Sequence, residues 1–105
     1  MANPYAGEVN VVIDGVRHEC KLTLGALAEL EVGLAAGSLV DLVRRFEGAE
    51  FSGADVLAVI VAGLRGGGWQ GTATDLVRAD IAGGPMGAAR AAALLLARAF
   101  ALPED

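Results

Sequence analysis

The stretch VNVVIDGVRHECKL, residues 9–22, contains two runs of strand-forming residues separated by the dipeptide Asp-Gly at positions 14–15. Asp-Gly between such runs is a strong signal for a two-residue β-hairpin turn, because both positions tolerate the positive φ that the turn requires. The sequence therefore predicts an antiparallel hairpin with strands at residues 8–13 and 16–22.

The register that this turn imposes gives the hairpin one apolar face. Three cross-strand pairs share that face: Val9 with Cys20, Val11 with His18, and Ile13 with Val16. The opposite face is polar, so a slip of one residue would bury Arg17, Glu19 and Lys21. Because an isolated hairpin is marginally stable in water, we expect helices to pack on the apolar face.

The chain after the hairpin has the apolar spacing and the capping residues that are typical of α-helices. Thr23 is a candidate N-cap for a first helix, which would run to about Ala36 and be ended by Gly37. Its expected inward stripe consists of Leu24, Leu27, Leu30 and Leu34.

Three later helix starts share one arrangement, a Ser or Thr followed three residues later by an Asp. The pairs are Ser38 with Asp41, Ser52 with Asp55, and Thr72 with Asp75. The hydroxyl can cap backbone N–H groups, and the carboxylate favours the positive end of the helix. Aspartate is shorter than the glutamate of a full capping box, so only the charge effect is expected. The predicted helices cover residues 39–47, 53–65 and 73–81.

A last helix is predicted from Gly83-Gly84-Pro85 to about Ala101, because proline suits the first turn of a helix. Together these elements predict one α+β domain over residues 1–105, an antiparallel hairpin followed by four or five packed helices. The expected divisions are a short arm (1–7), the hairpin (8–22), the helical part (23–101) and a solvated tail (102–105).

Composition narrows the class of protein. Of the 105 residues, 54% are apolar and 20% are charged, which is typical of a folded domain rather than a disordered chain. The net charge of −5 argues against partners such as nucleic acid or an anionic membrane. We find no signal peptide and no uninterrupted apolar stretch of about 20 residues, and one cysteine permits no internal disulfide. We therefore expect a cytoplasmic protein.

The stretch LRGGGWQG, residues 64–71, raises the question of a phosphate-binding loop. Such a loop needs its glycines before a helix and ends in Lys followed by Ser or Thr. Here the glycines follow a predicted helix, and no lysine occurs after Lys21. We interpret Gly66 as the left-handed residue just past the helix end, with Arg65 beside the last carbonyls. The two additional glycines indicate a close approach of the backbone, or movement.

No catalytic or metal-binding constellation is evident in the sequence. His18 and Cys20 share one strand face, but a structural zinc site needs four ligands and the chain has no second His or Cys. A Cys–His nucleophile pair would face the core, with nothing evident to orient the histidine. The sequence therefore predicts no enzyme activity, no cofactor and no bound metal.

Two segments are candidate contact surfaces for another protein. Trp69 either folds back over the end of the helix at 53–65 or anchors a partner. The last helix carries small and apolar residues nearly all round, which is typical of a helix that is central in its own domain or shared with another chain. The predicted partner-binding residues are Trp69, Gly87, Ala91 and Leu95.

Three features in order resemble the small tail-assembly protein of gene transfer agents, which are phage-like particles. They are LTLGALAELE at residues 22–31, AGLRGGG at residues 62–68 and the final Ala/Leu-rich helix. The resemblance extends over residues 7–100.

This resemblance implies a role in building a tail, as a chaperone that escorts the hydrophobic tape-measure protein while tube subunits assemble. The family also carries a tail-tube label, so a structural tail component is the alternative. A small cytoplasmic adaptor or regulatory binding module is also compatible with the residues. The implied partners are the tape-measure protein and tube subunits, and self-association is compatible with the last helix.

Overall fold

The computed structural model describes residues 9–34 and 37–100, in which two β-strands precede five α-helices. In chain order the elements are β1 (Val9–Ile13), β2 (Val16–Cys20), α1 (Leu24–Gly33), α2 (Leu39–Glu47), α3 (Gly53–Gly66), α4 (Ala73–Val77) and α5 (Gly84–Ala99). The predicted α+β class, a hairpin followed by helices, is confirmed.

Several predicted features lie outside the described residues. They are the N-terminal arm at 1–7, the strand start at Glu8, the helix end at Ala36, the helix end at Ala101 and the tail at 102–105.

The hairpin has the predicted register. Val9 pairs with Cys20, Val11 with His18, and Ile13 with Val16. Both turn residues have positive φ, 50° at Asp14 and 81° at Gly15, as the two-residue turn requires.

The apolar face of the hairpin is covered unevenly. The three β1 residues on this face, Val9, Val11 and Ile13, are buried, whereas on β2 only Cys20 is. Val16 is 58% exposed, so the expectation that helices would cover the whole apolar face was wrong at this residue. The cause is the placement of the helices: α5 packs against β1, and α3 reaches only the end of β2 that is far from the turn.

The first helix differs from the prediction in its end and in its inward face. α1 ends at Gly33, with Leu34 as an extended C-cap residue. Its buried residues are Ala26 and Leu30, while Leu24 is 85% exposed. Residues spaced by three drift around a helix, so Leu24 lies about 120° from Leu30 at about 100° per residue. The predicted stripe was therefore wrong at its first position.

The paired Ser and Asp residues form reciprocal caps at two helix starts. At α3 the Asp55 N–H donates to Ser52 Oγ (3.1 Å), and the Ser52 N–H donates to Asp55 Oδ2 (2.9 Å). Ser38 and Asp41 make the same exchange at α2. Aspartate therefore completes the capping box here, beyond the charge effect that was expected.

The prediction of a helix over residues 73–81 was wrong beyond Val77. α4 ends there, and Ile81 instead forms an antiparallel bridge with Ile13. The Ala82 N–H donates to the Val12 carbonyl (2.9 Å). The outer edge of β1 presents backbone groups that need partners, and the segment after α4 supplies them.

The end of α3 packs directly on the backbone of β2 and the residues that follow it. A Cβ atom at Gly66 would overlap the Lys21 carbonyl, and one at Gly67 would overlap the Glu19 carbonyl. The Lys21 N–H donates to the Gly63 carbonyl (2.9 Å). Close backbone approach therefore explains these two glycines.

The left-handed residue of this segment is Gly68, with φ of 103°, and not Gly66, which is the last residue of α3. The prediction for Gly66 was wrong because the helix continues one residue further than its apolar pattern. Arg65 lies in the last turn as predicted.

One apolar core joins all seven elements, and α3 packs against α1, α4, α5 and β2. Its largest fully buried side chains are those of Leu42, Val59, Ile60, Leu64 and Leu95. Among the described residues, no polar or charged side chain is buried. The core therefore fixes the helices without holding a chemical site of its own.

Candidate protein-binding groove

Trp69, one of the predicted contact residues, lies against the chain's own core. Its side chain is half-buried and packs on the core cluster. The Trp69 N–H donates to the Leu64 carbonyl (2.9 Å), and the indole ring lies so near Gly71 that a Cβ there would overlap it. This is the arrangement expected of a ring that folds back over the end of α3.

The other predicted contact residues lie on the inner side of α5. Gly87 and Ala91 are half-buried, and Leu95 is fully buried. A Cβ at Gly63 would come within 2.7 Å of Leu95 Cδ1, so the missing side chain on α3 is what admits Leu95. α5 thus packs on α3 of the same chain, and the Leu95 side chain lies inside the fold.

An apolar groove of about 560 Å³ lies between α3, α4 and the start of α5. Its lining is mostly aliphatic: Val56, Leu57 and Ile60 from α3, Leu76 and Val77 from α4, Ile81 from the connection, and Pro85, Met86, Ala88 and Ala89 from α5, with Phe51 at the entry to α3. This volume and this lining are typical of pockets that bind ligands or side chains of partners.

The rim of the groove carries exposed apolar side chains. Val77 is 66% exposed and Met86 is 72% exposed. Methionine adapts its shape to different apolar partners, because it is unbranched and polarizable. Phe51 stacks on Phe46, with ring centroids 4.6 Å apart, which holds the Phe51 ring in place beside the groove.

Asp80 is the single charged residue among the described residues that line the groove. Its backbone is fixed by hydrogen bonds to Asp14, and the residue itself is exposed. The groove therefore suits an apolar partner segment that carries a cation near one end.

The His18–Cys20 pair does not provide a reactive site. Burial raises the pKa of the Cys20 thiol to about 12, so the thiolate needed by a nucleophile or a metal ligand is disfavoured. Within residues 9–34 and 37–100, no three His, Cys, Asp or Glu side chains cluster in a way that suits a metal ion.

One known protein family matches this chain over nearly its whole length. The family model described as "Phage tail tube protein, GTA-gp10" matches residues 6–102, which is nearly the whole sequence. The chain belongs to this family. The predicted resemblance to the tail proteins of gene transfer agents is thereby confirmed. No curated protein and no solved structure gives a significant match.

Membership of the tail tube protein GTA-gp10 family gives the chain a tail-related role and associates it with other tail proteins. The family is structural in its description and not enzymatic. None of the helices in the described part of the chain has the length and apolar character needed to span a membrane.

Sequence reasoning missed the groove because it depends on where α4 stops. Had the helix continued to Ile81 as predicted, this residue would not have reached β1 and the wall formed by Asp80 and Ile81 would be absent. The available signal was Met86, a flexible apolar residue directly after the helix-starting Pro85.

Proposed function

We propose that this member of the tail tube protein GTA-gp10 family is a non-enzymatic assembly protein that binds an apolar segment of the tape-measure protein during tail assembly. The observation that carries the proposal is the apolar groove, with Val77 and Met86 exposed at its rim. Family membership supplies the tail context.

The groove is preformed, which favours binding. Its floor belongs to α3, the helix that packs against most of the other elements, and the wall at Asp80 is bonded to the hairpin. Little ordering is then required when a partner enters, and less of the binding free energy is lost. Covering Val77 and Met86 would contribute at most about 1.5–3 kcal/mol for each side chain. An apolar helix of the tape-measure protein meets these requirements.

A structural tail component is the second candidate, and the family description "tail tube protein" favours it. A permanent subunit forms large apolar interfaces, commonly of about 2,000 Å² or more. Further apolar side chains are available for such contacts on the outer side of α5 and directly after its end, where Leu94 is 42% exposed and Phe100 is 44% exposed. The two candidates differ in whether the chain remains in the finished particle.

The test is co-expression with the tape-measure protein. We expect co-purification with the unaltered chain and a loss of at least tenfold with the double variant Val77→Ser, Met86→Ser. Val40→Ser is the matched control, because Val40 is 59% exposed on α2 and does not line the groove. Equal recovery of tape-measure protein with all three chains would contradict the proposal.

Quantification of the chain in finished particles separates the two candidates. We expect it to be absent from particles, as an assembly protein that is released would be. A stoichiometric amount in purified particles would establish the structural role instead.

A further inference from the structure

The middle of α3 is apolar on every side, but the fold covers only part of it. Residues 56–64 read VLAVIVAGL and contain no polar side chain. A helix that is apolar all round is normally buried or shared with another chain. Here Ile60 and Leu64 are fully buried, whereas Leu57 and Val61 are only half-buried. α3 therefore has more apolar surface than its neighbours in the chain cover.

Two grooves open onto this surface of α3, and α4 lies between them. The groove described above is lined by Leu76 and Val77 of α4. A second groove, of about 450 Å³, lies between α3 and α1 and is lined by Thr72 and Ala73 at the start of α4. Leu57 lines both grooves. α4 therefore divides one mostly apolar depression of α3 into two parts.

α4 is attached to the rest of the molecule by few contacts. Of its five residues, all of them described, only Leu76 is buried. We refer to residues 70–79 as the α4 segment. Within the described part of the chain, one hydrogen bond joins this segment to other elements: Arg65 Nη1 donates to the Gly71 carbonyl (3.3 Å). Because five residues are too few for a helix that is stable on its own, the position of α4 depends mainly on the burial of one leucine.

The α4 segment is fixed at both ends, so it can lift without leaving the fold. Before it, the Trp69 N–H donates to the Leu64 carbonyl (2.9 Å). After it, the Asp80 N–H donates to Asp14 Oδ1 (2.9 Å), and the Asp80 carbonyl accepts from the Asp14 N–H (2.8 Å). A displaced α4 therefore stays tethered, and Leu76 can return to the core when no partner is present.

We propose that α4 is a displaceable cover of α3, and that the partner helix binds where α4 lies in the closed form. The inference rests on the proposed function for the nature of the partner, an apolar helix of the tape-measure protein. When α4 lifts, the two grooves join into one surface along α3 from Ala54 to Arg65, about 17 Å long, which matches three turns of a helix. The floor on α3 and the wall at Asp80 stay in place during this movement.

A cover of this kind explains how so apolar a helix is kept near the surface. Large exposed apolar patches on a soluble protein favour association with unsuitable partners. In the closed form Leu76 shields the outer side of α3, and in the open form an apolar side chain of the partner takes its place. Because the partner binds only the open fraction of the chain, a weaker hold on α4 raises the apparent affinity.

Thiol labelling of the free chain tests the movement without any partner. Leu76→Cys places a thiol on the inner side of α4, and Leu95→Cys is the matched control at a fully buried leucine that lines neither groove. We expect the thiol at position 76 to be labelled at least a hundredfold faster than the thiol at position 95, because α4 opens without global unfolding. Equal labelling rates would overturn the proposal.

Co-purification with the tape-measure protein tests the direction of the effect. Leu76→Ala should raise the amount of tape-measure protein recovered at least threefold, because more of the chain is open. Leu76→Val is a milder truncation that should act in the same direction. Leu42→Ala, also at a buried leucine outside both grooves, is the control and should bring no gain.

Recovery that is unchanged or lowered by both Leu76 variants would mean that α4 is a fixed wall, and would overturn the proposal. Failure of the proposed function has a different result, since no chain would then recover tape-measure protein. In that case the labelling rates at positions 76 and 95 still decide whether α4 opens.

Discussion

Asp14 and Asp80 bind each other through two hydrogen bonds of opposite direction. The Asp14 N–H donates to the Asp80 carbonyl (2.8 Å), and the Asp80 N–H donates to Asp14 Oδ1 (2.9 Å). The turn of the hairpin is thus fixed to a segment 66 residues later in the chain. Since Asp80 and its neighbour Ile81 line the groove, the hairpin supports one wall of the proposed binding site.

The contribution of the Asp14 side chain can be isolated with two variants that both tolerate positive φ. Asp14→Asn keeps an oxygen that accepts from the Asp80 N–H, whereas Asp14→Gly removes it. We expect Asp14→Gly to be less stable than Asp14→Asn by about 0.5–1.5 kcal/mol, the usual net contribution of a hydrogen bond. Urea denaturation measures the difference. Equal stability would show that the side-chain bond contributes nothing.

The contact between α3 and the hairpin predicts that alanine substitutions at different glycines have very different effects on stability. Gly66→Ala and Gly67→Ala should each lower the free energy of unfolding by about 1–3 kcal/mol or more, because the new methyl group meets a backbone carbonyl that cannot move alone. Gly33→Ala, placed in open space at the end of α1, should be neutral or stabilising by up to about 1 kcal/mol. Thermal unfolding of the three variants checks this, and a stable Gly66→Ala chain would contradict the packing.

The pair Arg45–Asp55 predicts a loss of stability in acid. Arg45 Nε and Nη2 donate to the two Asp55 oxygens, each at 3.0 Å, and these bonds hold the pKa of Asp55 below its ordinary value of 3.8. A lowered pKa in the folded state stabilises the protein above the unfolded pKa, and this stabilisation disappears as pH falls through the folded pKa.

We therefore expect Asp55→Asn to be less stable than the unaltered chain at pH 7, with a difference that shrinks as the pH is lowered below about 4. Asparagine keeps the shape of the side chain and the oxygen that caps the helix. The difference in stability between the two chains therefore measures the contribution of the Asp55 charge. Unfolding by urea between pH 7 and pH 2 measures it. A difference that stays constant across this range would mean that the ion pair is not its source.

Substitutions at Trp69 and Leu95 test whether these side chains stabilise the fold or are free to contact a partner. Leu95 is fully buried, so Leu95→Ala should cost about 2–5 kcal/mol of stability. Replacing the half-buried Trp69 by alanine should lower the free energy of unfolding by about 1–3 kcal/mol. Met86→Ser, at an exposed site, is the control and should change stability little. Calorimetry measures the melting temperature of each variant. An unchanged melting temperature for Trp69→Ala would favour Trp69 as an anchor for a partner.

Much of the fold could be predicted because its signals are local. The Asp-Gly turn determines the hairpin register within a few residues, and the Ser-to-Asp spacing marks helix starts without reference to distant contacts. The end of α4 could not be predicted in this way, since Val77 is followed by residues whose partners lie on β1, more than 60 positions earlier.

The faces of α5 could not be predicted for a related reason. Ala88 and Met86 are both compatible with a core or a surface, and the packing of α5 on α3 and β1 determines which side turns inward. The groove follows from the same packing, so its residues could be recognised only after the helices were placed. The exposed Leu24 was likewise predicted to face the core. Leucines spaced by three residues suggest one helix face, but each step of three rotates the side chain by about 60° away from that face.

Each edge of the hairpin is occupied over part of its length by the same chain. On β1, the Val12 carbonyl is already bonded to Ala82; at the end of β2, the Lys21 N–H is bonded to Gly63 and the Glu19 carbonyl lies against Gly67. These contacts leave only a short part of each edge for a strand from a neighbour. We therefore expect other tail proteins to contact this protein mainly through its helices, and not by extending the two-stranded sheet.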